Sequence, residues 1–167
     1  MFYQIYHKFG YDQAVSRASD SLSYVYRLDE KYWLMMLDSC MCEPVHETGG
    51  KLSEETVAWM KTQLEEAKKQ GVTVIPVSHH NLLDESTLYP EECTIENTKE
   101  VTALLEAYGV PVYLSGHLHL QRIKKHTSNL NTPGGYGIRE IVTSPLPMAP
   151  CQYSILNWQA DGSLSYH

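Results

Sequence analysis

Two pairs of histidines are the residues best placed to do chemistry in this chain. His117 and His119 lie one residue apart in the run Leu114-Ser115-Gly116-His117-Leu118-His119, and His79-His80 follows the apolar run Val72 to Val77. Imidazole is the commonest metal ligand near neutral pH. On an extended backbone a His-x-His step points both rings to one side, with roughly 6.5–7 Å between Cα atoms. That spacing suits two neighbouring cations, which stand roughly 3.5–4 Å apart in two-metal hydrolases. Gly116, lacking a side chain, lets the backbone pass close to whatever the rings hold. Singly, each histidine reads as a hydrogen-bonded structural residue. Together, at adjacent strand ends, they read as a metal site. His7, His46, His126 and His167 have no such context and read as surface or loop residues.

At 167 residues the chain has the length of one domain, taken as 1–167, with room for a substantial core. Its 43% hydrophobic and 20% charged residues are those of an ordinary soluble globular protein, with a cytoplasmic location expected. A net charge of −7 argues against a nucleic-acid backbone or an anionic membrane as a standing partner. A phosphate-bearing substrate therefore needs local positive charge, which a metal site can supply. No apolar stretch approaches the roughly 20 residues that span a bilayer, and the N-terminus lacks the pattern of a signal peptide. Cys40, Cys42, Cys93 and Cys151 form no C-x-x-C pair, which argues against a structural zinc ribbon and favours buried free thiols over two disulfides.

The elements that must position the histidines follow from periodicity. Residues 12–18 suggest a short helix, and Leu22 to Leu28 with Tyr32 to Asp38 reads as an antiparallel hairpin. Ser53, Glu54 and Glu55 open a helix with Val57, Met60, Leu64 and Ala67 at helical spacing, and Gly71 stops it. Val72 to Ser78 is a buried strand, residues 81–94 form a long polar loop, and a second helix runs from about Ile95 to Tyr108. Val112 to Ser115 is the next strand. Strand–helix–strand–helix–strand implies a parallel segment, whose ligands collect beyond the carboxyl ends of the strands. Both histidine pairs fall there. Leu120 to Lys125, Ile138 to Val142, Gln152 to Trp158 and Leu164 to Tyr166 read as antiparallel strands of a second sheet packed on the first.

The His79-His80 pair followed by Gly116-His117-Leu118-His119 resembles the calcineurin-like metallophosphoesterases. So does the buried strand ending in Leu37-Asp38-Ser39 ahead of Gly50 and a helix bearing Trp59. The resemblance covers most of the chain. It implies an α/β (α+β) fold: the C-terminal part of an αββα sandwich, a mixed sheet with helices packed against an antiparallel sheet. It also implies that His79 and His117 ligate one divalent metal (manganese, iron or zinc), that His119 ligates a second, and that His80 lines the site without ligating. Asn81 stands where the family usually has proline. The implied substrate is a phosphomonoester or phosphodiester attacked by a metal-activated water. The family's D-x-H, G-D-x-x-D and G-N-H-D/E motifs are absent, and Asp12, Asp20, Asp29 and Asp38 lack their context. The chain is therefore expected to be a C-terminal portion with part of the ligand set, of little activity alone. It is also expected to leave the strand bearing His79, or its neighbour, as an open edge that pairs with another copy or with a separate N-terminal polypeptide.

Two competing readings remain at this level. One is a non-catalytic metal-binding or assembly module derived from the same fold. The other is a single structural zinc held by His79, His80, His117 and His119. Cys40-Met41-Cys42 reads as packing, and Trp59, Tyr3, Tyr6 and Tyr11 as core or interdomain contacts. Lys124 and Lys125 are too few for a nucleic-acid patch, and Asn97 reads as ordering the start of its helix. The loops 81–94 and 126–136 are where substrate choice is expected.

Overall fold

A computed structural model of the chain describes residues 2–41, 47–84, 90–126, 137–149, 151–159 and 161–167. A short helix α1 (Phe2–Tyr6) runs into a π-helical turn (His7–Tyr11). Then come β1 (Ser16–Arg17), β2 (Tyr24–Arg27), β3 (Tyr32–Met36), α2 (Glu54–Gln70), β4 (Thr73–Val77), α3 (Pro90–Cys93) and α4 (Thr98–Ala107). The last elements are β5 (Val112–Ser115), β6 (Arg122–Lys125), β7 (Arg139–Val142), β8 (Leu156–Trp158) and β9 (Leu164–Tyr166).

Seven strands form one mixed sheet in the order β1-β2-β3-β4-β5-β7-β6. β2 and β3 are the antiparallel hairpin, closed by an Asp29 carboxylate that accepts from Lys31 N and Tyr32 N at 2.7 and 2.8 Å. β3, β4, β5 and β7 are parallel to one another; the first three are joined by helical crossovers, which impose that sense. α2 is delimited as its sequence dictates. Ser53 Oγ accepts from Thr56 N at 2.9 Å, and Gly71 takes φ 69° at the other end. Met60, Leu64 and Ala67 of α2, with Val101 and Leu105 of α4, bury against Val25, Trp33, Met35, Val74 and Tyr113 of the sheet.

The opposite face carries Ile75, Val112 and Ile141 and is covered by the small β8–β9 sheet through Leu156, Trp158, Leu164 and Tyr166. Tyr32 and Trp158 pack with ring centroids 4.9 Å apart and planes tilted by 47°. The architecture is therefore α/β, with helices on one face and a separate antiparallel sheet on the other. None of the described helices is long and apolar enough to cross a membrane.

Several expectations are corrected by the backbone. Residues 12–18 are not helical, because Ser16–Arg17 pairs with Tyr24–Val25 and extends the hairpin. The second helix starts at Thr98, since Ile95 and Glu96 are drawn into bridges with Asn81 and Gly50. Asn97 stands at the N-cap of α4, its carbonyl accepting from Val101 N, but its side-chain amide pairs with the Leu52 backbone, accepting from Leu52 N and donating to Leu52 O. β6 and β7 belong to the main sheet, so the separate sheet holds only β8 and β9. The strand bearing His79 is not an edge, for β4 is flanked by β3 and β5, and the outermost strands are β1 and β6. Among the described cysteines Cys93 is buried as expected, whereas Cys40 and Cys151 are exposed; none is in a disulfide. Trp59 packs on the core and donates Nε1–H to Ser16 Oγ, while Tyr6 is largely exposed. Cys42, His46 and residues 127–136 lie outside the described residues.

Met35 is fully buried on a central strand beneath α2. Met35→Ala is expected to lower unfolding stability by about 2–5 kcal/mol with an unchanged urea m-value, measured by equilibrium denaturation.

Candidate metal centre

β4 and β5 deliver their histidines to the same rim of the sheet. Ser78 N donates to Leu114 O at 3.0 Å, and Gly116 N donates to His79 O at 3.1 Å. The two exits are thus tied together before either histidine pair is complete. His79 Nε2 and His117 Nδ1 then face each other at 2.9 Å, with their rings 4.8 Å apart and edge to face at 86°. The His80 ring lies 4.9 Å from that of His117 and 5.1 Å from that of His79. His119 is exposed and close enough to lower the pKa of both His79 and His117.

The rings are not presented by a pleated strand, as a His-x-His step on extended backbone would require. His117 and His119 sit just past the end of β5 and take φ values of 65° and 54°. This left-handed region is sparsely used by residues with a side chain, although histidine enters it more readily than most. Held there, a side chain carries strain of order 1–3 kcal/mol, of the kind that clusters at functional sites. The presentation comes from two left-handed turns rather than from strand alternation.

His80 is fixed in a different role. Its Nε2–H donates to the Thr48 carbonyl at 3.0 Å, and its Nδ1 accepts from Ser39 Oγ at 2.8 Å. Both ring nitrogens are thereby engaged in a residue only 3% exposed. His80 is thus committed to protein partners and stands beside the His79–His117 pair as a buried wall. The glycine that makes room for it is Gly50, where a Cβ would lie 2.4 Å from His80 Cγ and 2.8 Å from His80 Cβ. At Gly116, by contrast, a Cβ would meet the His79 carbonyl at an ordinary 3.8 Å, so the described neighbours do not demand glycine there.

Whether these residues fit a metal follows from their donors. Two imidazole nitrogens at 2.9 Å have the separation of two ligands at a right angle around a cation about 2.0–2.1 Å from each. His79 and His117 therefore fit one shared divalent ion, given transfer of the proton between them to another ring nitrogen. Among the described residues, however, no group of three or more histidine, cysteine or carboxylate side chains converges on one point. His119 is near but does not complete such a group. The donors present suit one partly open cation site.

Burial is the main cause that lowers the pKa of His79 below the ordinary 6.5, with the neighbouring charges of His117, His80 and His119 acting in the same direction. His117 is lowered too, first by burial and then by His80 and His119. Glu92 opposes this through its carboxylate and through its backbone, which accepts a hydrogen bond from the His117 ring. Both rings are thus held neutral and able to donate lone pairs at neutral pH.

Sequence reasoning missed Glu92 and Glu140, and it took Gly50 only as part of the family pattern, without its contact to His80. Glu140 is fully buried and accepts from the backbone N–H groups of Leu82 and Leu83 just beyond the histidine pair. A signal was present. Alternation in Ile138-Arg139-Glu140-Ile141 puts Glu140 on the core side with Ile138, where a carboxylate needs partners. Asn81 uses its backbone N–H to bond Cys93 O at 2.8 Å, which proline could not do. Its buried Oδ1 has no hydrogen-bond partner among the described residues.

Two outcomes check this geometry. Gly50→Ala is expected to cost about 1–3 kcal/mol in a denaturation experiment, because His80 has no room to yield. In the metal-free chain, NMR titration should show His79 and His117 protonating below 6.5. Because the folded pKa is the lower one, stability from the neutral rings is complete above the unfolded value and is lost as pH falls through the folded values. That acid loss should shrink in His79→Asn.

No family model matches this sequence, and no curated protein matches it. Among solved structures, a dimetal phosphatase from Danio rerio matches with a TM-score of 0.60 at 14% identity, covering 77% of this chain and 51% of that one. The chain spans about half the length of that structure. At this level of identity the likeness is one of fold: the mixed sheet, its helices and the separate antiparallel sheet are arranged as in that phosphatase.

Proposed function

We propose that the rim holding His79, His117 and His119 is the metal-binding part of a phosphoesterase-type hydrolase acting on a phosphomonoester or phosphodiester. His79 and His117 hold one divalent cation (manganese, iron or zinc), and His119 contributes to a second. The observation that carries this reading is the 2.9 Å apposition of His79 Nε2 and His117 Nδ1 at the carboxyl ends of two parallel strands. The likeness in fold to a dimetal phosphatase supports it. A bound cation supplies the charge that polarises a phosphoryl oxygen and acidifies a water. The chain's own residues do the rest of what the geometry allows. His79 and His117 stay neutral and available. His80, locked between Ser39 and Thr48, keeps the His117 ring from turning inward. The net charge of −7 leaves phosphate recognition to the metals rather than to a basic surface.

Turnover requires more oxygen donors than the described residues bring to this point, and a second copy or a second polypeptide supplies them. Sedimentation at several concentrations tests this, and a monomer without concentration dependence counts against self-association. One observation favours a second reading, a metal-binding or assembly module without turnover: no cluster of three donors forms among the described residues.

Metal content and hydrolysis separate the two. Dialysis against manganese or zinc, followed by metal analysis, is expected to show cation uptake that drops at least tenfold in His79→Ala and His117→Ala. Metal-dependent cleavage of p-nitrophenyl or bis-p-nitrophenyl phosphate is expected for the hydrolase and absent for the module. A wild-type chain that takes up no divalent cation sinks both readings.

A further inference from the structure

Beneath the histidine rim lies a buried polar group that bonds the turns carrying both histidine pairs. Glu140, on β7, is fully buried. Its Oε1 accepts from Leu82 N at 2.7 Å and from Ser115 Oγ at 2.6 Å, while its Oε2 accepts from Leu83 N at 2.6 Å. Leu82 is three residues beyond His79, and Ser115 is two before His117. The bonding continues sideways: Asn81 Nδ2 donates to Ser115 Oγ at 2.9 Å and to the Gly116 carbonyl at 3.2 Å. One carboxylate thus pins the segment after β4 to the end of β5, which is the joint that sets where His79 stands relative to His117.

We propose that Glu140 is a positioning residue for the imidazole pair, its carboxylate fixing the separation of His79 and His117 and hence the divalent-cation affinity of that site. This rests on the metal-centre reading above. The chemistry requires a group that only accepts, on both oxygens. Backbone N–H donors approach each side, so an amide in the same place turns one acceptor into a donor facing a donor. Hydrogen bonds to a carboxylate are also shorter and stiffer than those between neutral groups, as the observed distances are. Residues that hold metal ligands from outside the ligand set typically change metal affinity by about 10–100-fold when removed.

The test is a calorimetric Zn²⁺ titration of the full chain as wild type, Glu140→Gln and Ser115→Ala, run well below each variant's melting temperature. The expected result is a folded Glu140→Gln chain, judged by circular dichroism, that binds Zn²⁺ about 10–100-fold more weakly. Ser115→Ala, which removes the hydroxyl bond to Glu140 and leaves the two backbone bonds from Leu82 and Leu83, should show a smaller loss. A merely structural role would lower the melting temperature and leave the affinity of the folded chain unchanged, and that result overturns the proposal. Should Glu140→Gln fail to fold, Ser115→Ala decides: weaker binding supports the proposal, and equal binding overturns it. Should the wild type bind no Zn²⁺, the metal-centre reading fails separately. The positioning claim is then read from the nuclear Overhauser contact between the His79 and His117 rings in the metal-free chain. Its loss in a folded variant supports positioning; its retention overturns it.

Discussion

β4 and β5 run side by side and in the same direction, so the chain leaves both at one rim of the sheet. The bond from Gly116 N to His79 O then fastens the two exits to each other. Everything that gives the histidines chemical meaning depends on this alignment. Separated by one strand, or reversed in direction, the same four residues would be unrelated surface imidazoles. The two crossovers between β3, β4 and β5 enforce the parallel sense, and α2 and α4 enforce it from one face by burying Leu64 and Leu105 against Val74 and Tyr113.

The interior below that rim differs from the rest of the core. Ser39, Ser78, His80, Asn81, Ser115 and Glu140 are all buried, and they bond chiefly to one another and to nearby backbone. Tyr113, whose phenol burial keeps protonated, donates to Ser78 Oγ, which donates in turn to the His80 carbonyl. Apolar residues would fill this volume with less demand on geometry, because each buried polar atom must find a partner or cost about 1–3 kcal/mol. A connected polar network specifies one arrangement of the turns, which is what a binding site needs and a core does not.

Much of the frame was legible in the chain. Ser53 and Gly71 delimit α2, the run at 72–78 contains β4, and the position of both histidine pairs at strand ends followed from strand–helix alternation. The site itself was legible only in part. The identity of His79, His117 and His119 as candidates came from residue type and spacing, but the left-handed turns that present His117 and His119 leave no mark on periodicity. Gly116 drew the attention that Gly50 should have had, since the close approach of Gly50 to His80 joins residues thirty positions apart. The place of β7 beside β5 was also hidden. Strand order is set by packing across the sheet, and a short apolar run reads the same in either sheet.

The two histidines held at positive φ carry a further implication. A glycine at position 117 or 119 would sit in the same backbone without penalty. The folded chain therefore keeps imidazoles exactly where bare backbone would be more comfortable, and its resting state is less stable than its own framework permits. A cation that binds the rings in the folded chain alone would offset that cost by mass action, so the melting temperature would rise with its concentration.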